Sequence, residues 1–459
     1  MGIYFGNNTV DNLYIGLTPV TKGYVGTYLF YDGDDTIIDF TYEKYILDTQ
    51  YSTLYNTEET PIKSAILKGN TKYRDIDTGD ILDTFDETKN LELVSVKMPV
   101  LKSTGKNLFD GKLENGAIMT STGSNTPSTD NVRSVGYIKV NPNASIVLSN
   151  DLNYSNKIIY EYDSNKDYIG RKYTNPFTTS TNCQYIRFRS DANQPNLDVK
   201  YQVEYSTTEP TSYEPYKSNI LTVNEEVELR RIGEGQDTLD LMTGEVVERI
   251  GEVIFDGSVD ENWYLWATYP EESAIFGLSK EDSLKLMKEF DKTGVFKCDK
   301  FSTVLTASLI NLGDTYPHAI SFFGSDGNYI QLRVYKSLLK SIDVAGLREY
   351  LTNEPITVQY QLATESVKTV DLSVVDQDGN NTELSTFNDI THVTLSSEGL
   401  IPEAELEVAT KNEEVLNTMS LEMDDISTTQ NALQETSDTQ SENVDATMMA
   451  TTEIYEQLL

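Results

Sequence analysis

Residues 1–35 are built on a ten-residue repeat, and so short a period limits this segment to small stacked or hairpin-linked units. The repeated positions are a tyrosine and a glycine two residues later: Tyr4, Gly6, Tyr14, Gly16, Tyr24 and Gly26. Tyrosine beside Ile, Phe, Leu and Val favours strands, and glycine suits a turn or bulge. The repeat predicts either an ordinary β-meander edge or a small docking module, and neither is catalytic.

The low apolar content and the strong negative charge narrow the classes of function. Apolar residues make up 38% of the 459 residues, below the usual ~45–50%, which fits thin, elongated β-domains. A net charge of −37 argues against nucleic acid and anionic membranes as partners, because both are bound through clusters of Lys and Arg. No apolar run approaches the ~18 residues of a membrane span, so we expect no membrane insertion.

Cysteine and histidine are too sparse for the common metal and catalytic sites. The chain has two cysteines, Cys183 and Cys298, and two histidines, His318 and His392, with no CxxC pair. Structural zinc sites and His-based triads need more of these side chains or closer spacing. We expect buried free thiols, and no signal peptide follows Met1. Together these features predict folding in a reducing cytoplasm.

Two stretches resemble copies of one unit. Residues 101–217 and 255–372 each begin near a Phe-Asp-Gly tripeptide, at 109–111 and 255–257, carry a Tyr-Ile-x-apolar-Arg strand and close on Val-x-Tyr-Gln followed by an apolar residue. Short strands with regularly spaced turn signals predict tandem β-sandwiches of the jelly-roll type. The second copy also carries predicted helices near 279–291 and 338–351. Chance similarity between two β-domains is the alternative to a duplication.

The complete prediction is a mainly β, elongated, multidomain chain. Its predicted segments are β-repeats at 1–35, a hairpin region at 36–100, a carbohydrate-binding-like β-sandwich at 101–217, a hairpin connector at 218–254, a second such sandwich at 255–372, return strands at 373–410 and an acidic helix at 411–459.

The last segment changes character, since residues 412–459 hold eleven acids and no Lys or Arg. A seven-residue grid of apolar positions predicts an amphipathic helix or coiled coil that contacts a partner or another copy. Its predicted contact residues are Leu416, Met419, Met423, Ile426, Leu433, Val444, Ile454 and Leu458. A homotrimer is the favoured assembly, although parallel acidic helices repel one another. Docking on a basic partner and a frayed acidic tail are the alternatives.

Aromatic side chains in the two copies are the candidate carbohydrate contacts. Exposed aromatic faces stack on the flat apolar faces of sugar rings, although alternating aromatics also build cores. Arginine could bind a sugar hydroxyl or an anionic group, or form an ion pair on the sheet. The candidates are Trp263, Tyr264 and Trp266 in the second copy and Tyr160, Tyr162 and Arg187 in the first.

The sequence gives only weak indications of a calcium site. The segment 376–380, Asp-Gln-Asp-Gly-Asn, resembles the start of a calcium loop, but Phe387 stands where such a loop needs a bidentate glutamate. A tight Asp-Gly turn is the simpler interpretation. We therefore predict no cofactor, with Ca²⁺ as an open alternative.

A glycosidase needs two facing carboxylates, and no motif among the 73 acids selects a pair. We predict that the chain is not an enzyme and has no catalytic residues.

Several junctions resemble those of modular tail and baseplate proteins of bacteriophages that infect Gram-positive hosts. Residues 98–111, Met-Pro-Val-Leu-Lys-Ser-Thr-Gly-Lys-Asn-Leu-Phe-Asp-Gly, resemble one recurring junction of these proteins. Residues 202–205, 211–216, 237–257 and 385–402 are similar to further junctions of that class, and the resemblance touches most of residues 1–410. Many of these relatives carry a Lys/Glu-mixed coiled coil where this chain has only acids.

The resemblance implies a virion protein, assembled in the host cytoplasm and located in the tail baseplate or fibre. It implies other tail proteins and host cell-wall or surface polysaccharide as partners, and multimeric assembly. The leading hypothesis is a structural protein that contributes to receptor binding and host attachment. The second hypothesis is a scaffold that anchors other receptor-binding proteins, and the third is a cell-wall-degrading glycosidase.

Overall fold

The computed structural model describes the backbone of six strands between residues 3 and 32, and residues 41–411 apart from 152–156, 192–195, 209–211, 269–271, 280, 284, 286–289, 292–294, 306 and 324–328. The chain divides into two compact units, one of residues 1–42 and 410–459 and one of residues 43–409. The fold is mainly β, which confirms the predicted class. The predicted helix at 411–459 and its eight contact residues lie outside the described residues.

The N-terminal repeats form three antiparallel hairpins, one for each ten-residue period. Each repeated tyrosine lies in the first strand of its hairpin and pairs with the residue five positions later: Tyr4 with Thr9, Tyr14 with Pro19 and Tyr24 with Leu29. The strands are β1 (Ile3–Phe5), β2 (Asn8–Val10), β3 (Tyr14–Ile15), β4 (Thr18–Pro19), β5 (Lys22–Val25) and β6 (Tyr28–Asp32).

A large sheet, called here the central sheet, is assembled from strands that are far apart in sequence. Its strands are β7 (Thr41–Leu47), β8 (Tyr51–Thr57), β9 (Ser64–Lys68), β13 (Val100–Thr104), β25 (Ser218–Val223), β29 (Thr238–Asp240), β30 (Glu245–Phe255), β33 (Phe296–Cys298), β37 (Ile356–Thr369), β38 (Leu372–Asp376), β39 (Asp389–Ser396) and β40 (Glu403–Thr410). Their order is β33-β37-β30-β29-β9-β40-β8-β39-β13-β25-β38, with β7 beside β40. The segments predicted as a hairpin region, a connector and return strands thus supply neighbouring strands of one sheet.

A second, four-stranded sheet shares the core of the central sheet. It has the order β11-β10-β12-β26, from β10 (Thr71–Asp75), β11 (Ile81–Leu82), β12 (Leu91–Lys97) and β26 (Glu228–Leu229). Val96 and Leu229 from this sheet join Leu67, Leu101 and Leu406 of the central sheet in one cluster of buried apolar side chains. A short hairpin of β27 (Arg231–Ile232) and β28 (Gly235–Gln236) follows it. Burial of these side chains supplies the main stabilisation of this part of the chain.

The first insert, residues 105–217, leaves and re-enters the central sheet between two paired strands. Val100 pairs with Thr222 and Thr104 with Ser218, and the Gly105 amide donates to the carbonyl of Lys217 at 3.0 Å. The insert contains β14 (Leu113–Asn115), β15 (Ala117–Ile118), β16 (Asn125–Thr126), β17 (Asn131–Ser134), β18 (Ile138–Lys139), β19 (Ser145–Asn150), β20 (Lys157–Tyr162), β21 (Tyr168–Lys172), β22 (Phe177–Thr178), β23 (Tyr185–Asp191) and β24 (Tyr201–Tyr205).

Two sheets of the first insert share one core. One has the order β14-β17-β23-β20-β21 with β18 beside β23, and the other has the order β22-β19-β24. Ile159 and Phe188 of the larger sheet and Leu148 and Val203 of the smaller sheet belong to the same buried cluster. The strands β15 and β16 form a separate hairpin.

The second insert, residues 256–355, is joined in the same way, between the paired strands β30 and β37. Phe255 pairs with Ile356 at the end of this ribbon. A five-stranded sheet of order β31-β32-β36-β35-β34 follows, from β31 (Trp263–Thr268), β32 (Ser273–Leu278), β34 (Ser302–Leu305), β35 (Ala319–Phe323) and β36 (Tyr329–Tyr335). Two 3-10 helices, η1 (Leu309–Thr315) and η2 (Lys336–Leu338), flank it.

The helix α1 (Val344–Asn353) closes the core of the second insert. Asp343 caps its first turn by accepting from the Gly346 amide at 2.9 Å. Leu347 and Leu351 lie four residues apart on its buried face and join the same cluster as Phe276 and Leu332 of the five-stranded sheet. The predicted helix near 279–291 falls partly outside the described residues, and residues 281–283 within it are helical.

Candidate carbohydrate-binding surfaces

The predicted tyrosines of the first insert lie inside the protein. Tyr160 and Tyr162 point to the face of β20 opposite Ile159, and their exposed fractions are 0% and 2%. The Tyr160 hydroxyl donates to the carbonyl of Ile118, and the Tyr162 hydroxyl donates to that of Gly123, both at 2.7 Å. Burial raises the pKa of Tyr160 to about 12. These rings offer no free face to a sugar.

The segment that covers these rings, residues 117–126, is named here the strap. Tyr168 of β21 donates to the carbonyl of Thr120 at 2.9 Å, and a side-chain nitrogen of Arg171 donates to the same oxygen. Gly123 has φ +67° and lies so close to Tyr168 that an added Cβ would be 2.6 Å from a ring atom. Only glycine meets both conditions without strain. Three tyrosine hydroxyls therefore hold the strap on the sheet.

Arg187 of β23 is also buried, with an exposed fraction of 4%. One terminal nitrogen donates to Asn125 Oδ1 of the strap at 2.7 Å, and the other donates to the carbonyl of Ser134 at 2.5 Å. The guanidinium lies 5.4 Å from the centre of the Tyr137 ring. Both terminal nitrogens of Arg187 thus bond within the chain, whereas Nε is buried without a hydrogen-bond partner. Because the side chain is buried, this geometry does not support a role as a direct sugar contact.

The predicted aromatic residues of the second insert divide between the two faces of its sheet. Trp263 is 5% exposed, packs against Phe255 with ring centres 5.4 Å apart, and donates from Nε1 to Glu261 Oε2 at 2.7 Å. Burial raises the pKa of Glu261, while this hydrogen bond opposes the shift. Trp263 is a core residue, because it pairs with Leu278 on the helix-covered face.

Tyr264 and Trp266 lie on the other face and form a stacked pair. Their ring centres are 5.6 Å apart with an angle of 25° between the planes, and Tyr264 is 39% exposed. Tyr264 is paired across the strands with Gly277 of β32. An added Cβ on Gly277 would lie 2.7 Å from atoms of both rings, so the pair rests on the bare backbone of that residue.

Two further aromatic rings, which were not predicted as contacts, extend this pair. Tyr329 of β36 lies 5.7 Å from Trp266, and Phe323 of β35 lies 6.1 Å from Trp266 and stacks on Tyr329 at 5.5 Å. Tyr264, Trp266, Phe323 and Tyr329 are named here the aromatic platform. Tyr264 is exposed and the other three rings are partly buried, and neighbouring, partly exposed aromatic rings of this kind mark interaction sites more often than an isolated ring does.

The repeated Tyr-Ile-x-apolar-Arg motif was the signal for the missed residues. It places Tyr329 at the start of β36 and Tyr185 at the start of β23, while Ile330 and Ile186 turn into their respective cores. Tyr185 is part of a second aromatic group with Tyr137, their ring centres 6.2 Å apart. Both copies of the motif thus carry a tyrosine on the sheet face that points away from the main core.

The first aspartate of the candidate calcium turn at 376–380 accepts hydrogen bonds from its own backbone, and so does the first aspartate of the similar acidic turn at 163–167. Asp376 Oδ1 accepts from the amides of Asp378 and Asn380, and Asp163 Oδ1 accepts from those of Asn165 and Asp167, all at 2.9 Å. Over the described residues, no group of three or more His, Cys, Asp or Glu side chains could hold a metal ion. Ca²⁺ therefore gains no support from these turns.

Comparison with known proteins gives no match: no family model, no curated protein and no solved structure matches the chain. A search of the helices in the described part of the chain finds none that is long and apolar enough to cross a membrane.

Proposed function

We propose that this chain is a structural component of a bacteriophage tail, in the baseplate or a fibre, that contributes to attachment by binding carbohydrate on the host surface. The inserts would be tandem β-sandwich modules, and the C-terminal segment would be a helix that joins other tail proteins or other copies. The observation that carries the proposal is the aromatic platform, since its stacked and partly exposed rings suit the flat apolar face of a pyranose.

Both inserts are attached to the central sheet in a way that suits the presentation of a binding surface. Each insert lies between two adjacent antiparallel strands of the central sheet, so both of its ends are fixed by a hydrogen-bonded ladder. A binding surface on such a module is held by a rigid sheet rather than by a flexible linker. Weak contact at each module would become firm attachment when several copies act together.

The experiment compares adhesion of the full chain with that of a Tyr264→Ala/Trp266→Ala variant. Multimerised protein on beads would be incubated with purified cell walls from a panel of Gram-positive bacteria, and retained beads would be counted. Tyr213→Ala is the matched control, because Tyr213 is also 39% exposed but lies outside the second insert. We expect the platform variant to lose at least ten-fold in retention and the control to keep it.

A scaffold without sugar contact is the second candidate, and the burial of Tyr160, Tyr162 and Trp263 favours it. If folded wild-type chain adheres to none of the cell walls, the attachment role is wrong and the scaffold role takes its place. If the platform variant adheres as well as wild type, the surface that contacts the cell wall lies elsewhere on the chain. Release of reducing sugar from the walls would contradict both candidates and would indicate a glycosidase.

A further inference from the structure

Cationic side chains converge on the aromatic pair Tyr137–Tyr185 of the first insert. The Lys166 ammonium lies 5.3 Å from the centre of the Tyr137 ring and 5.7 Å from that of Tyr185. The Lys139 ammonium lies 4.8 Å from the centre of Tyr185, and Arg187 lies on Tyr137. Tyr137 is 38% exposed and Tyr185 is half-buried. Each ring thus carries two cations, and part of Tyr137 faces solvent.

The charge of this group is only partly compensated. Lys139 donates to the neutral amide oxygen of Gln184 at 2.9 Å, and among the described residues neither Lys139 nor Lys166 forms an ion pair with a carboxylate. Glu114 pairs with Arg133 at 2.7 Å and lies 3.9 Å from Arg187. In a chain of net charge −37, carboxylates are abundant, so two neighbouring lysines without a carboxylate partner among the described residues are unexpected.

The backbone of Lys166 adds an independent observation. Its φ is +67°, in the left-handed region, where a lysine is strained and glycine is not. The turn keeps a lysine there nevertheless, and the lysine holds its ammonium over both rings. The Asp163 carboxylate of the same turn is engaged by backbone amides and leaves the ammonium unpaired. Strained residues of this kind collect at binding sites, where the side chain is needed.

We propose that Lys139, Lys166, Tyr137 and Tyr185 form a binding site for an anionic saccharide, one whose ring or polyol carries a carboxylate or a phosphate. The ammonium groups would bind the anion, and the solvent-exposed part of Tyr137 would contact the apolar part of the sugar. Nucleic acid is disfavoured as the ligand by the charge of the rest of the chain. This site rests on the proposed attachment function but uses a different insert from the aromatic platform.

The test is calorimetric titration of the full chain with three probes: trigalacturonic acid, its methyl ester, and a glycerol phosphate trimer. The acid and the ester share one carbon skeleton and differ in charge, and the glycerol phosphate separates a phosphate from a carboxylate preference. We expect at least one anionic probe to bind ten-fold more tightly than the ester, and we expect binding to weaken as salt rises. Equal affinity for acid and ester, or no heat with any probe, would overturn the proposal.

Two variants assign the binding to this site. The Lys139→Gln/Lys166→Gln variant should bind the anionic probe at least ten-fold more weakly than wild type. Lys200→Gln, which removes a lysine 5.5 Å from the Tyr213 ring, should leave the affinity unchanged. Lys166→Gly should weaken binding while raising the thermal midpoint, because glycine relieves the left-handed strain. A loss of binding together with a loss of stability would indicate misfolding and would count against the site. Adhesion through the platform is measured separately, so failure here leaves the attachment proposal standing.

Discussion

The ring of Tyr264 lies directly over Gly277 of the neighbouring strand, and the space a side chain would need there is filled by Tyr264 and Trp266. A glycine within a strand weakens the sheet, and an aromatic partner across the ladder compensates by covering its backbone. Gly277 is thus the residue that allows the aromatic platform to lie flat. An added Cβ on Gly277 would lie only 2.7 Å from ring atoms of both side chains, so the two rings must move if Gly277 gains a Cβ.

We predict that Gly277→Ala destabilises the chain by about 1–3 kcal/mol, the usual cost of overpacking. Urea denaturation would measure this change. In the Tyr264→Ala background the same substitution should cost less, by about 1 kcal/mol, because one of the two clashing rings is gone and the two effects are not additive. Additive costs would show that Gly277 does not act through Tyr264.

A second prediction concerns the strap. Tyr162→Phe removes the hydroxyl that donates to Gly123 and leaves a buried carbonyl unpaired, so we expect a loss of about 1–2 kcal/mol. The loss should be local: the Met119 and Gly123 amides, which bond within the strap to Ser124 and Met119, should exchange their hydrogens faster. Hydrogen exchange read by mass spectrometry would check this. Unchanged exchange in the strap would mean that Tyr160 and Tyr168 suffice to hold it.

The strands were predictable from the sequence, whereas their partners were not. Alternation predicts a strand at 91–100, and the structure has β12 at Leu91–Lys97 followed by β13 at Val100–Thr104. The partners of β13 are β25 and β39, which begin more than a hundred and almost three hundred residues later. Local periodicity carries no information about such distant pairing, and for this reason the connector segments could not be recognised as one sheet.

The candidate site was predicted in part for a related reason. Alternation assigns Tyr160 and Tyr162 to one face of β20, but it cannot tell whether that face is covered. Here a distant hairpin covers it, so that both faces are buried. At Trp263 and Tyr264 the same rule correctly separates two faces, of which one remains partly exposed. Burial by non-local elements is therefore the information that the pattern lacks.

A third prediction follows from His392, which joins the first insert to the central sheet. Its ring lies 5.2 Å from Tyr205 and 5.7 Å from Tyr51, and burial lowers its pKa to about 4. In the unfolded chain the His392 imidazole binds a proton near pH 6.5, whereas in the folded chain it stays neutral down to about pH 4. The contribution of neutral His392 to the free energy of unfolding is therefore present above pH 6.5 and is lost as the pH falls towards 4. The full effect is on the order of 3 kcal/mol.

Urea denaturation between pH 7.5 and 4.5 would measure this effect as the difference between wild type and His392→Gln. We expect wild type to lose stability relative to the variant as the pH falls. The comparison with the variant is needed because other buried groups also titrate in this range. Burial raises the pKa of Asp299 to about 6, so the contribution of protonated Asp299 to stability is lost as the pH rises, which opposes the effect of His392. Asp299 is common to both proteins and cancels. A difference that does not change with pH would contradict the assignment.

The last prediction concerns residues 412–459, whose eleven acids and lack of Lys and Arg make self-association depend on charge screening. If the predicted helices associate with one another, repulsion between their carboxylates opposes assembly, and salt weakens this repulsion over distances of about 10 Å at 0.1 M. We expect light scattering to give a mass for the full chain that rises with salt towards a trimer, while a chain ending at Lys411 stays monomeric. A full chain that is monomeric at every salt concentration would mean that the acidic segment docks on a basic partner instead, and the scaffold role would then gain over a clustered adhesin.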